Sequence, residues 1–89
     1  MAQVIPMPPA NNPEAEQSVI GAILVRPEVL PKVAEILAPS DFYHRPHRCI
    51  YQTMLDVARE GRPVDYVTVT ALLKDRGNLE TVVGPLFLM

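Results

Sequence analysis

Cysteine is almost absent: Cys49 is the only one, so no intrachain disulfide can form, which fits a reducing compartment. Long apolar runs are missing too. No stretch approaches the ~18 apolar residues of a membrane span. The N-terminus, Met1-Ala2-Gln3-Val4-Ile5-Pro6-Met7-Pro8-Pro9, lacks the basic start and apolar core of a signal peptide. These absences predict a soluble, cytoplasmic protein with no membrane contact. Basic charge is in short supply: 8 Lys+Arg against 10 Asp+Glu give a net charge of −2 and a pI near 5.5. Domains that grip duplex DNA by its phosphates carry a basic face, so this balance argues against strong autonomous DNA binding. The phosphate-binding loop G-x-x-x-x-G-K-[ST] is also lacking. Ala22, Arg62, Asn78 and Pro85 follow the four glycines, and none is lysine. A complete P-loop motor within these residues is excluded.

Strand signals are equally sparse. The best candidate, Pro63 to Val69, alternates Val64, Tyr66 and Thr68 with Asp65 and Val67, but it is short and has no partner. What remains is helical punctuation. The 89 residues allow one domain, 48% of them are hydrophobic, and several of the ten prolines stand where helices begin. Residues 1–11 read as a flexible leader. Asn12-Pro13-Glu14 starts a helix to about Arg26, with Ala15, Val19, Ile20, Ala22, Ile23 and Leu24 as its stripe; Glu14 and Glu16 suit the positive end of the helix dipole. Gly21 in mid-helix points to a close helix crossing. A short helix from Pro27 shows Val29, Leu30, Val33, Ile36 and Leu37 on one face, and Pro39 closes it. Ser40-Asp41 caps a single turn holding Phe42 and Tyr43. The longest helix runs from Pro46 to about Glu60 on Ile50, Met54, Val57 and Ala58, flanked by Tyr51 and Leu55. Gly61 and Pro63 end it. Asp65 or Thr68 caps a further helix to Arg76 carrying Val69, Leu72 and Leu73, and Gly77-Asn78 stops it. Leu79 to Val83 allows one more turn. Pro85 to Met89 begins another element without a stop, which points to a piece of something longer. The predicted fold is all-α, a compact bundle of about five to six short helices.

The stretch Ser40 to Tyr51 concentrates the chemistry-bearing side chains. His44, His47 and Cys49 suggest a metal, but zinc sites usually join two ligand clusters and a second is missing, so no metal is expected. Ser40, Asp41 and His44 lie within five positions on a tight turn without an oxyanion hole, and no catalytic residue is assigned. Asp56, Glu60 and Asp65 read as solvated helix ends. His47 and Arg48 are an oddity: cations at the positive end of a helix. Asp41 or another carboxylate within the fold would make them structural; without one, they are free for an acidic partner. Phe42, Tyr43, Ile50 and Tyr51 are expected to form the joint of the core. A small helical DNA-binding regulator is the rival reading, weakened because the helix after Thr68 offers only Lys74 and Arg76, both at its C-terminal end.

Three ordered segments carry a family resemblance. Asn12 with Glu14-Ala15-Glu16-Gln17-Ser18-Val19-Ile20-Gly21-Ala22-Ile23-Leu24 resembles the opening of the bacterial replicative DNA helicases of the DnaB family. Asp41-Phe42-Tyr43, followed by His47-Arg48 and Ile50-Tyr51, resembles the next signature. Gly61, Pro63-Val64-Asp65 and Val67-Thr68-Val69 resemble the third, and Leu72 through Leu79 continues in register. One departure is visible: Val83-Gly84 and Phe87-Leu88 stand where the family usually has Gly-Gly and Tyr-Leu. The resemblance implies that residues 12–89 are the helical head of the family's N-terminal domain, C-terminally truncated before a helical hairpin. It implies a non-catalytic assembly and docking module of a hexameric helicase. ATP, magnesium and DNA would belong to an absent motor domain. Implied partners are other helicase subunits, primase and, in some members, a loader. Arg48, Leu86, Phe87 and Leu88 are the expected partner-interface residues; no cofactor is expected in the head itself.

Overall fold

Each helix begins where the sequence supplies a cap or a proline. In the computed structural model, which describes residues 12–79, α1 (Pro13–Val25) opens on Asn12, whose Oδ1 accepts the Ala15 N–H at 2.9 Å. A 3₁₀ turn, Pro27–Val29, leads into α2 (Leu30–Ile36), with Pro31 in its first turn, where the missing N–H has no intrahelical acceptor. A second 3₁₀ turn, Pro39–Asp41, precedes α3 (Arg45–Arg59). Helix α4 (Tyr66–Asp75) opens on a reciprocal cap. Asp65 Oδ1 accepts the Thr68 N–H at 2.8 Å, and Thr68 Oγ1 accepts the Asp65 N–H at 3.0 Å. Gly61 and Gly77, at φ 75° and 74°, end α3 and α4 in the left-handed conformation. The residue after each glycine then donates back into the last turn, Arg62 to Val57 at 3.2 Å and Asn78 to Leu73 at 2.8 Å.

Against the expected five to six short helices, the described residues form four α-helices and two 3₁₀ turns, with no strand among them. The further turns expected after Leu79, and the leader, lie outside the described residues. None of the described helices is long and apolar enough to cross a membrane.

Helix α3 is central, packing on α4, on α1 and on the Pro39–Asp41 turn. The core joins Val19, Ile20 and Ile23 of α1, Leu30, Val33 and Leu37 of the α2 region, Phe42, then Ile50, Tyr51, Met54 and Val57 of α3, with Val64, Val69 and Leu73. Several expectations shift. Ala22 and Ala58 are exposed, as is Ile36. The buried face of α1 is Glu16, Val19, Ile20 and Ile23, and that of α3 includes His47 and Thr53. The turn ahead of α3 ends at Asp41, so Phe42 lies just beyond it in extended backbone and Tyr43 faces outward, 55% exposed. Gly21 marks no close helix crossing: a Cβ placed there meets nothing within 4 Å among the described residues.

Asp56 is not a solvated helix end. Its side chain is 13% exposed and accepts from Gln52 at 3.0 Å, Arg59 at 3.0 Å and Arg76 at 2.7 Å, fastening the C-terminal half of α3 to the end of α4. Burial alone would push its carboxyl up; the hydrogen bonds from Arg76 and Gln52, with the charges of Arg76 and Arg59, outweigh that and hold it below the usual aspartate range.

Two outcomes follow from this packing. Gly21→Ala should raise stability by about 0.5–1 kcal/mol in urea unfolding, since it removes backbone entropy without a clash; a loss would show that something unaccounted for closes on α1. Because Asp56 has a depressed pKa, its contribution is present above its ordinary value of 3.8 and is lost as pH falls through the lowered folded value. Asp56→Asn should therefore flatten the acid limb of stability between about pH 5 and pH 2, the window of a salt-bridged aspartate. An acid limb as steep as the parent's would refute the assignment.

Candidate functional site

The two apolar stripes that meet in the core each end in a polar residue. On α1 the spacing Glu16, Val19, Ile20, Ile23 carries a carboxylate onto the buried face. On α3 the spacing His47, Ile50, Tyr51, Met54 carries an imidazole onto it. Helix packing brings these ends together. Glu16 is wholly inaccessible to solvent, and His47 is 3% exposed. Glu16 Oε2 accepts the Tyr43 N–H. Its Oε1 is bonded to His47 Nδ1 at 2.8 Å and His44 Nδ1 at 3.0 Å, and accepts the His44 N–H at 3.3 Å.

Burial pushes the Glu16 carboxyl up, but the hydrogen bonds from His47, Tyr43 and His44 together outweigh it and hold the group below the ordinary glutamate range. The carboxylate is therefore ionised, and it belongs to the first turn of α1 while bonding the first turn of α3, two regions that favour negative charge. This accounts for His47 at the positive end of α3: its carboxylate partner is Glu16, from another helix, and not Asp41, whose Oδ2 accepts the Ala38 N–H at 2.8 Å. Arg48 is held by backbone carbonyls instead.

Arg48 turns back along the chain and donates from one guanidinium nitrogen to the carbonyls of Phe42 at 3.0 Å and Tyr43 at 2.6 Å. Tyr51 secures the other side of the same turn. Its hydroxyl donates to the Leu37 carbonyl at 2.8 Å, and its ring lies 4.9 Å from that of Phe42. The joint expected from Phe42, Tyr43, Ile50 and Tyr51 is thus formed by three of them, all fully buried, without Tyr43.

The remaining expected residues are dispersed. His44 and His47 converge, but on Glu16, and the half-buried Cys49 is not part of that group. Burial pushes the Cys49 thiol up, against the pull of Arg45 and Arg76. Ser40 is exposed, Asp41 is engaged by Ala38, and His44 by Glu16, so the three are held by different partners. Leu86, Phe87 and Leu88 lie outside the described residues. Glu16 is the residue that the composition of the Ser40 to Tyr51 stretch could not supply; continuing both stripes one turn toward their N-termini would have found it.

Removing this carboxylate strands two backbone N–H groups and two imidazoles. Glu16→Ala is expected to lower stability by about 3–5 kcal/mol, the usual loss when one partner of a buried pair is deleted. His44→Ala should lower it far less, because that ring is half-exposed. Denaturant unfolding of both variants checks this, and a Glu16→Ala loss within ~0.5 kcal/mol of zero would contradict it.

The chain matches the family model described as DnaB-like helicase N terminal domain over residues 8–89. It is 47% identical over 76 residues to the replicative DNA helicase DnaC of Bacillus subtilis, an alignment spanning 85% of this chain and 17% of that protein. It is 46% identical over 80 residues to the replicative DNA helicase DnaB of Geobacillus stearothermophilus, spanning 90% of this chain and 18% of that one. The chain therefore corresponds to under a fifth of each relative's length. Its fold resembles the crystal structure of the N-terminal domain of DnaB helicase from Mycobacterium tuberculosis, with a TM-score of 0.81 and 40% identity, covering 91% of this chain and 56% of that one. By sequence and by fold, this chain, all-helical over the described residues, belongs to the DnaB-like helicase N-terminal domain family.

Proposed function

We propose that this chain is the non-catalytic assembly and protein-docking head of a subunit of a hexameric, ATP-dependent replicative DNA helicase. The observation that carries this reading is the family match over residues 8–89, joined to relatives named as replicative DNA helicases of which the chain covers only 17–18%. The sequence itself holds no phosphate-binding loop. In this reading ATP and magnesium act in a motor domain outside these residues, DNA is engaged through that motor, and the head supports the collar of the ring in the cytoplasm. Its contacts are neighbouring subunits, primase and, where one exists, a loader.

The described surface has apolar side chains suited to contact: Val25 and Val67 are 80% and 72% exposed, and Ile36, Tyr43 and Tyr66 are less so. Leu86, Phe87 and Leu88 belong to the same proposal as the junction with the segment that follows. Arg48 has internal partners and remains half-exposed, so a docking role would be additional to its structural one.

The test is to compare the chain alone with the chain joined to the following helical segment and motor. The chain alone should turn over no ATP, and restoring the following segment should strengthen self-association in sedimentation and permit primase binding. ATP turnover by the chain alone, or an unchanged sedimentation profile, would overturn the proposal. Salt-dependent, sequence-selective duplex binding by the chain would instead identify a small DNA-binding regulator. Arg48→Ala should cost about 1.5–3 kcal/mol of stability through its charge-assisted hydrogen bonds; primase affinity that falls while the folded fraction is held constant marks Arg48 as a docking contact as well.

A further inference from the structure

Glu16, His44 and His47 offer a carboxylate oxygen and two imidazole nitrogens that all lie within 4.8 Å of one another. We propose that these three residues bind one divalent transition-metal ion of the zinc class, which clamps the first turn of α1 to the entry of α3. The absence of a second cysteine–histidine cluster, which argued against a metal in the sequence, loses its force here. The missing ligand is a carboxylate delivered by another helix, 28 residues before His44 and 31 before His47.

The donor set decides the class of ion. Two imidazoles and a carboxylate suit Zn(II), Co(II) and Ni(II), whereas calcium and magnesium prefer oxygen ligands throughout. The ligands are pre-positioned. The Tyr43 N–H holds Oε2 and so orients Oε1 toward the two rings, the kind of supporting bond that aligns a metal ligand. His44 stands just ahead of α3 in extended backbone and His47 lies in its first turn, which lets both Nδ1 atoms face the same oxygen. The His44 side chain is 31% exposed, which gives an ion a route in and leaves room for a water as fourth ligand.

Without metal, both Nδ1 atoms hydrogen-bond the same carboxylate oxygen. On binding, each imidazole presents the Nδ1 lone pair and carries its proton on Nε2. Two neutral rings release no proton, and a ring that starts as imidazolium releases one. The ionised Glu16 supplies the negative charge that the cation needs in a site closed to solvent on its inner side.

Untagged protein, stripped with a chelator, tests this by titration with Co(II) followed by displacement with Zn(II). One equivalent should bind with the visible absorption of four-coordinate cobalt, and zinc should raise the unfolding temperature. His44→Ala, whose ring is half-exposed and whose fold should survive, should weaken Co(II) binding by about 100-fold, at the upper end of what loss of even a supporting partner costs. Cys49→Ser should leave binding unchanged. No stoichiometric binding of either ion at micromolar concentration, or binding that His44→Ala leaves intact, would overturn the proposal.

Discussion

Everything at the N-terminal end of α3 depends on one carboxylate with no access to water. Taking Glu16 out of solvent costs several kcal/mol, and an unpaired charge there would not be tolerated. What offsets the cost is the completeness of its partners: two backbone N–H groups and two imidazoles converge on its two oxygens. An apolar residue of similar volume could fill the space, but it could not hold the backbone of Tyr43 and His44 at a defined height on α1. The charge sets where the segment before α3 crosses α1. With that crossing set, Arg48 reaches the Phe42 and Tyr43 carbonyls, and Tyr51 reaches Leu37.

The same logic operates in weaker form at the other end of the helix. Asp56 ties α3 to Arg76 at the end of α4, but its arginine partners are substantially exposed, so solvent screens the attraction. Helix α3 is thus held by a charged fastener at each end and by Ile50, Tyr51, Met54 and Val57 between them. The apolar residues supply most of the driving force, since burying a large side chain contributes about 1.5–3 kcal/mol each. The two carboxylates contribute direction: apolar contact alone would tolerate a helix sliding along its neighbour, and hydrogen bonds to fixed atoms would not.

Much of this was legible in the sequence, and for physical reasons. Asn12-Pro13, the prolines at 27 and 31, Asp65 with Thr68, and the glycines at 61 and 77 act through local backbone geometry, so their consequences appear within a turn or two of where they stand. The apolar stripes were legible for the same reason, except at Ala22 and Ala58, whose small side chains sit on exposed faces at little cost, and at Ile36, which is exposed near the end of α2. What local reasoning could not reach was pairing across the fold. Glu16 satisfied the rule for acids near a helix start, and that masked its place one turn ahead of Val19 and Ile20 on the buried stripe. His47 and Arg48 violated the corresponding rule for cations, and that violation was the usable signal. Asp41, the nearest acid in sequence, was the wrong partner because its carboxylate already closes the Pro39–Asp41 turn on Ala38.

This separation between buried and exposed positions bears on what the family resemblance can mean. Within the matching motifs, Glu16, Val19, Ile20, Ile23, Phe42, His47, Ile50, Tyr51, Val64 and Val69 are all buried. They define how the helices meet, and a partner approaching from solvent would find little of them. Recognition by another protein has to use what those motifs leave outside, such as Val25 at the end of α1 and Val67 in the first turn of α4. Two chains can therefore share this internal fastening closely and still present different faces. The stretch from Ser40 to Tyr51, richest in reactive side chains, is bound up mainly in building the core, and its exposed residues, Ser40, Asp41, Tyr43 and Arg45, with the partly exposed His44 and Arg48, are what it can offer to another molecule.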